Sequence, residues 1–278
     1  MSLLHYSIST TLKNRPSKRF SRKRGHTNPV LHRIVATKKE EVSRLRGTSF
    51  PVRKVPVYPW RSQLKKENSV TVIAECKKGS PSAGIIRPDY NPLSISKIYE
   101  ANGAAAISVL TDKDYFLGSI SDLEAVASSV KIPVIRKDFI IDPIQIDEAY
   151  SFGASAILLI VRILSKSELT SLYRHATSLG LGVLVETHNA MEVQTALEAG
   201  ADTIGINTRD LDTFQIHPRL VEEIATTLPD SLVRVAESGI QSFADWQAYK
   251  GIVDCMLIGT YFMKSPDIQL AYTNLMKP

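Results

Sequence analysis

From residue 70 onward, short apolar β-branched runs alternate with amphipathic stretches of ten to fifteen residues, and this alternation constrains the fold more than any other feature. The runs number eight: Thr71–Cys76, Ile107–Leu110, Pro133–Asp138, Ala156–Val161, Gly182–Thr187, Thr203–Asn207, Leu232–Ser238 and Cys255–Thr260. Parallel strands cannot be joined by a tight hairpin, so a helix must cross over between them. Three of the runs are approached through one phrase, Gly103-Ala-Ala-Ala-Ile, Gly153-Ala-Ser-Ala-Ile and Gly200-Ala-Asp-Thr-Ile, which marks an internal repeat. Each glycine stands where a helix stops and the chain reverses, a place that favours positive φ. Eight β/α units over about 210 residues predict an α/β chain of the closed (β/α)8 type, a TIM barrel, over residues 70–278.

A doubly wound open sheet is the competing topology, and it normally carries a phosphate-binding fingerprint after its first strand. Gly79 to Gly84 has the glycine spacing of a P-loop, but Ile85 and Ile86 stand where Lys and Ser/Thr are required. Helix ends are legible elsewhere: Asp142-Pro143 opens a helix that closes at Gly153, Ser165 opens one that closes at Gly180, and Ser265-Pro266 opens the last. In the segment from Asn189 to Gly200, Met191, Val193, Ala196 and Leu197 fall on one apolar side, with Glu192 and Glu198 toward water. Ahead of the barrel, residues 28–69 are expected to form an N-terminal helical extension. Asn28 to Leu45 reads as a helix with an apolar stripe of Leu31, Ile34, Val35, Val42 and Leu45, followed by a proline-marked connector. The stripe must dock on the barrel, at its bottom or beside its mouth.

The formal net charge of +6 belongs to the first segment, because residues 1–39 hold ten Lys/Arg and no Asp/Glu while the rest holds 24 basic and 28 acidic side chains. Residues 1–27 thus form a basic leader, expected to be disordered. A solvated extension, an early start codon, an organelle transit peptide and a polyanion-binding arm share this composition. Two cysteines, Cys76 and Cys255, neither build a disulfide framework nor show zinc-site spacing, so no metal is expected. No apolar run approaches the roughly 18 residues of a membrane span. No membrane or nucleic-acid partner is expected, and the location read from this is cytoplasmic.

In a barrel of this kind reactive groups come from the C-terminal ends of strands. Strand one ends Glu75-Cys76-Lys77, and the two-residue period puts Glu75 and Lys77 on one face and turns Cys76 toward the helices. The other ends supply Arg136-Lys137-Asp138, Glu186-Thr187, Asn207 with Arg209 and Asp210, Glu237-Ser238-Gly239, and Gly259-Thr260. Two carboxylates, two lysines and an amide converging on one mouth shift one another's pKa and are rarely assembled for stability alone. Gly239, Gly259 and Thr260 suit an anion, since bare backbone N–H groups can close on a phosphate there. His188 reads as a loop side chain and His175 as a helix-surface residue.

These motifs carry a resemblance. Val72-Ile-Ala-Glu-Cys-Lys-Lys-Gly-Ser-Pro-Ser82, Arg136-Lys-Asp-Phe-Ile140, Gly205-Ile-Asn-Thr-Arg-Asp-Leu211 and Val235-Ala-Glu-Ser-Gly-Ile240 together resemble the indole-3-glycerol-phosphate synthases of tryptophan biosynthesis, from about Leu31 to the end. The resemblance implies a carboxy-lyase that closes and decarboxylates 1-(2-carboxyphenylamino)-1-deoxyribulose 5-phosphate, releasing carbon dioxide and water, without a cofactor. It assigns Lys137 as general acid for ring closure, with Glu186 as its proton-transfer partner and stabiliser of developing positive charge. Glu75 and Lys77 fall to the carboxylate, the phosphate end and the dehydration step. Asn207 would orient the anthranilate portion and Arg209 meet an anionic group. Ser80, Glu237 and Ser238 would line the substrate pocket, and Gly239, Gly259 and Thr260 its phosphate end. Phe116, Phe139, Leu158 and Leu211 would form apolar walls.

Thr260-Tyr261 departs from the acidic or small residue more usual there. A single activity is expected, without the fused phosphoribosylanthranilate isomerase of some relatives, from a monomer or weak dimer. Two alternatives are a phosphoribosylanthranilate-isomerase-like sister barrel and a non-enzymatic polyanion-binding protein acting through the leader. The first needs a Cys/Asp pair at the mouth that the strand parity does not supply. Deleting residues 1–27 is expected to leave steady-state turnover unchanged; a large loss in the folded, truncated protein would show that the leader covers the site.

Overall fold

The computed structural model describes residues 29–211 and 213–276, so the leader expected over residues 1–27 lies outside the described residues. Eight parallel strands build the barrel: β1 (Ser69–Cys76), β2 (Ala106–Leu110), β3 (Val134–Lys137), β4 (Ala156–Ile160), β5 (Gly182–Thr187), β6 (Thr203–Asn207), β7 (Val233–Glu237) and β8 (Cys255–Ile258). Each pairs in parallel with the next. Because β8 also pairs with β1, from Cys255 opposite Thr71 to Ile258 opposite Ala74, the sheet closes and has no free edge. The α/β TIM barrel expected from the alternation is therefore the fold.

Several expected strand ends move inward for physical reasons. Pro133 has no N–H and contributes only its carbonyl, which accepts from Ile107 N at 2.9 Å. Strand β7 stops at Glu237 because Ser238 turns to φ +68°, a left-handed conformation that no strand continues. Thr260, expected to end the last strand, instead opens a short helix at Thr260–Lys264. Between strands the predicted caps are in place, including capping boxes at Asp142 and Ser165, and Gly103, Gly153 and Gly200 lie at φ +84°, +94° and +93°. The last helix, Ile268–Met276, is opened by Asp267 rather than Ser265: Asp267 Oδ1 accepts from Leu270 N at 2.9 Å.

The two-residue strand period divides the interior into two cores. Ile73, Ile135, Leu158, Leu184, Val235 and Leu257 point inward and pack on one another inside the barrel. Val72, Ala74, Cys76, Val109, Ile157, Val185 and Ile258 point outward and meet the crossover helices. Cys76 is thus packed away from the mouth, and burial raises its thiol pKa. Among the described residues no helix is long and apolar enough to cross a membrane.

The extension ahead of the barrel closes both ends. At the bottom, helix α2 (Trp60–Leu64) inserts Trp60 and Leu64, 5% and 0% exposed, into the inner core. Gly182 makes this fit, since a Cβ there would overlap the Trp60 ring. At the top, helix α1 (Pro29–Leu45) crosses the mouth and buries Ile34 beside Phe139 and Leu158. Of the two docking places left open by its stripe, it takes the mouth. Lys38, only 1% exposed, fixes it there through Asp112 at 2.7 Å and Asp138 at 2.9 Å. Gly182→Ala should lower stability by roughly 1–3 kcal/mol through overpacking. The resulting fall in Tm of several degrees is readable by thermal melting, and a wild-type Tm would show that the Trp60 ring moves aside freely.

Candidate active site

At the C-terminal end of the barrel, the inward positions of β1, β3, β5 and β7 are Glu75, Lys137, Glu186 and Glu237. Branched aliphatic side chains ordinarily fill such a layer; here all four are ionisable, and the three carboxylates are buried. The even strands make room. A Cβ at Gly205 would overlap Glu237 Oε1, and one at Gly259 would overlap Glu75 Oε1. Gly259, expected to close on a phosphate, therefore also has the structural task of admitting Glu75.

Lys137 Nζ lies 3.3 Å from Glu186 Oε2 and 3.4 Å from Glu237 Oε2, and Lys77 Nζ lies 2.7 Å from Glu75 Oε1. Burial alone would lower the Lys137 pKa, but Glu186, Glu237 and Glu75 outweigh it and hold the ammonium charged well above its usual range. Burial likewise opposes ionisation of Glu186 and Glu75, yet the facing lysines bring both carboxyls below the usual range. Glu237 behaves oppositely. Burial together with the Glu186 charge pushes it up to about 8, against the pull of Lys137. Neither of its oxygens has a hydrogen-bond partner, and the Lys137 contact is an ion pair without that alignment. The layer thus holds a cation, two carboxyls held below their usual range and a third pushed above it.

Over this layer opens a cavity of about 860 Å³. Every site residue expected from the sequence lines it: Glu75, Lys77, Ser80, Phe116, Lys137, Phe139, Leu158, Glu186, Asn207, Arg209, Leu211, Glu237, Ser238, Gly239, Gly259 and Thr260. One wall is aromatic, with the Phe116 and Phe139 rings 6.1 Å apart. Across from it Ser238 and Gly239 turn through successive positive φ values of +68° and +80°. Asn207 Oδ1 accepts from Arg209 N at 3.0 Å, which fixes the loop after β6. Arg136 and Asp138, although neighbours of Lys137, serve structure: Arg136 binds Glu148 at 2.7 Å and Asp138 at 3.2 Å on the outer side.

Sequence reasoning missed two contributions. Val30, Leu31 and Ile34 of α1 line the cavity, as does Lys264 of the short helix after β8. His188, read as a loop side chain, is buried: Nε2 lies 3.3 Å from Glu186 Oε1 and Nδ1 3.1 Å from Glu192 Oε2. The signal was its spacing, two residues past the inward-facing Glu186 and four before Glu192. Burial would lower the imidazole pKa, but the two carboxylates reverse this and raise it to about 9. Glu192, expected in water, is accordingly held between His188 and Arg162, whereas Met191 of the expected apolar side is 80% exposed. Among the described residues no group of three or more His, Cys, Asp or Glu side chains is arranged to hold a metal ion.

Fold and mouth together define a (β/α)8-barrel enzyme whose mouth is lined by strand-end lysines and glutamates. Residues 31–275 match the indole-3-glycerol phosphate synthase family, and the chain belongs to it. A protein of that name from Leptospira interrogans is 52% identical over 247 residues, covering 88% of this chain and 96% of its own length. Another from Geobacillus thermodenitrificans is 42% identical, covering 88% and 96%. Among solved structures, 3-hexulose-6-phosphate synthase from Salmonella typhimurium aligns with TM-score 0.60 at 12% identity, covering 74% of this chain and 96% of that one, a likeness of fold alone.

The Glu237 shift has a stability consequence. A carboxyl whose folded pKa is raised stabilises the fold below its unfolded value and loses that contribution as pH rises through the folded value of about 8. Glu237→Gln should therefore melt progressively higher relative to wild type as pH rises from about 5 to 8. A Tm difference constant across that window would place the Glu237 carboxylate in its ionised form throughout.

Proposed function

We propose that this chain acts as an indole-3-glycerol-phosphate synthase on 1-(2-carboxyphenylamino)-1-deoxyribulose 5-phosphate, using the strand-end layer for its proton transfers. The observation that carries the reading is the layer itself: a cation held among three carboxyl groups beneath a cavity with an aromatic wall at one side and a glycine turn at the other. The ring carbon bearing the carboxylate attacks the ribulose carbonyl carbon, and the carbonyl oxygen takes a proton as its charge develops. Lys137 supplies that proton in this reading. Carbon dioxide then leaves, and its bonding electron pair restores the aromatic ring. The new hydroxyl departs as water after a second protonation, while the methylene beside nitrogen gives up one proton to form the indole double bond.

Glu186 stabilises the positive charge that develops on nitrogen, and Glu75 with Lys77 serves the substrate carboxylate and the dehydration. Asn207 orients the anthranilate ring against Phe116, Phe139, Leu158 and Leu211, with Arg209 on an anionic group and Ser80 at the rim. Ser238, Gly239, Gly259 and Thr260, with Lys77 nearby, close on the phosphate. The sister isomerisation would need a thiol at the mouth, and Cys76 packs against the helices instead.

Purified protein should turn this substrate into a fluorescent indole product and leave phosphoribosylanthranilate unchanged. Lys137→Met should keep the fold and reduce kcat by roughly 10² to 10⁴-fold. Isomerisation in place of indole release would overturn the reading, and near-wild-type turnover of the variant would remove Lys137 from it.

A further inference from the structure

We infer that Lys38 is a positioning residue that sets the two rings of the aromatic wall, Phe116 and Phe139, against the substrate's aryl group. The inference deepens the reaction proposed above and rests on it for the identity of that group. Phe116 ends the short helix Lys113–Phe116 after β2, and Phe139 lies two residues past β3. Both rings follow their strands, so the strand register does not by itself fix one relative to the other.

A carboxylate fixes each of them. Asp112 Oδ1 accepts from Tyr115 N at 2.7 Å and from Phe116 N at 3.1 Å, and Asp138 Oδ1 accepts from Phe139 N at 2.8 Å. Both carboxylates are buried and meet on one ammonium: Lys38 Nζ lies 2.7 Å from Asp112 Oδ2 and 2.9 Å from Asp138 Oδ1. Burial opposes the charge on this lysine, but Asp138 and Asp112 outweigh it and hold the ammonium above its usual pKa range. Glu41 lies 2.8 Å from the same ammonium, and Arg136 lies 3.2 Å from the other oxygen of Asp138. A buried ion is a costly anchor, since an aliphatic side chain of similar length would hold α1 on the barrel as well or better. What the ion adds is direction: it ties the base of one ring to the base of the other. The same helix supplies a further side of the ring site. Ile34, one turn before Lys38 and on its face, packs beside Phe139, and Val30 and Leu31 line the cavity with it. Thr37 Oγ1, 3.0 Å from the Tyr115 hydroxyl, makes a second tie to the turn that carries Phe116.

A merely structural Lys38 would keep the barrel folded without choosing between ligands, and the test separates the two. Lys38→Met alone leaves Asp112 as a buried charge, so it is combined with Asp112→Asn, whose amide oxygen can still accept from Tyr115 N and Phe116 N. Binding of two probes is followed by ligand-observed NMR: anthranilate for the ring site and inorganic phosphate for the opposite end of the cavity. In the folded double variant the Kd for anthranilate should rise about tenfold, the upper worth of an aromatic contact, while that for phosphate stays within about twofold. Unchanged anthranilate binding overturns the inference, and so does an equal weakening of both probes, which would mark a general loosening of the mouth. A wild-type protein that binds phosphate but not anthranilate overturns it as well. If the double variant does not fold, Asp112→Asn alone serves, because Lys38 keeps Asp138 and Glu41; it should weaken anthranilate severalfold at constant phosphate affinity, and wild-type anthranilate affinity there overturns the inference equally. Absence of indole product from a wild-type protein that still binds anthranilate would instead sink the functional reading.

Discussion

Placing Lys137 among Glu75, Glu186 and Glu237 inside a closed barrel is the constraint from which most of the site follows. A buried ion of either sign is strongly destabilising unless partnered, and removing one partner from such a set leaves uncompensated charge. Three carboxyl groups around one ammonium would leave an excess of negative charge. The structure reduces it by placing Lys77 on Glu75, turning His188 toward Glu186, and raising the pKa of Glu237 through burial and the Glu186 charge. Steric demands follow from the same choice, since the glutamates fit only because β6 carries Gly205 and β8 is followed by Gly259. Charge and volume are thus settled in one layer.

The extension ahead of the barrel plugs its bottom and narrows its mouth. Trp60 plugs the bottom, and Arg53 pins the connector by donating to the carbonyls of Tyr150, Gly153 and Ala154 at 2.7, 3.1 and 2.7 Å. At the mouth, Lys38 joins three elements. Asp112 Oδ2 forms an ion pair with it while Asp112 Oδ1 caps the turn that carries Phe116, and Asp138, which also pairs with Lys38, directly follows Lys137. The docking of α1 is therefore coupled both to the aromatic wall and to the strand that carries the central cation. Lys38 also fills the barrel rim with a charge in a position that its helical stripe alone would leave to an aliphatic residue.

Much of this is legible in the sequence. Strand parity placed Glu75 and Lys77 inward and Cys76 outward, and capping residues such as Asp142 and Ser165 marked helix starts, because these features depend on neighbours a few positions apart. His188 was misread although its parity was available, since a histidine just past a strand looks the same in sequence whether it is solvated or clamped between carboxylates. Met191 and Glu192 exchanged their expected environments for a related reason. Helical periodicity assigns faces on one helix, whereas Arg162, 30 residues before Glu192, decides which face receives a charge.

By itself the sequence determined the number of β/α units and the inward set of strand-end lysines and glutamates that face the cavity. Tertiary structure alone decided where α1 docks, that Gly259 makes way for Glu75, and which acid in the cluster has its pKa pushed up rather than down. The physical reason is range. Periodicity and capping are set within a turn or a strand, but a docking site needs Lys38 to find Asp112 and Asp138, and a protonation state sums burial and charge over groups as far apart in the chain as Lys137 and Glu237.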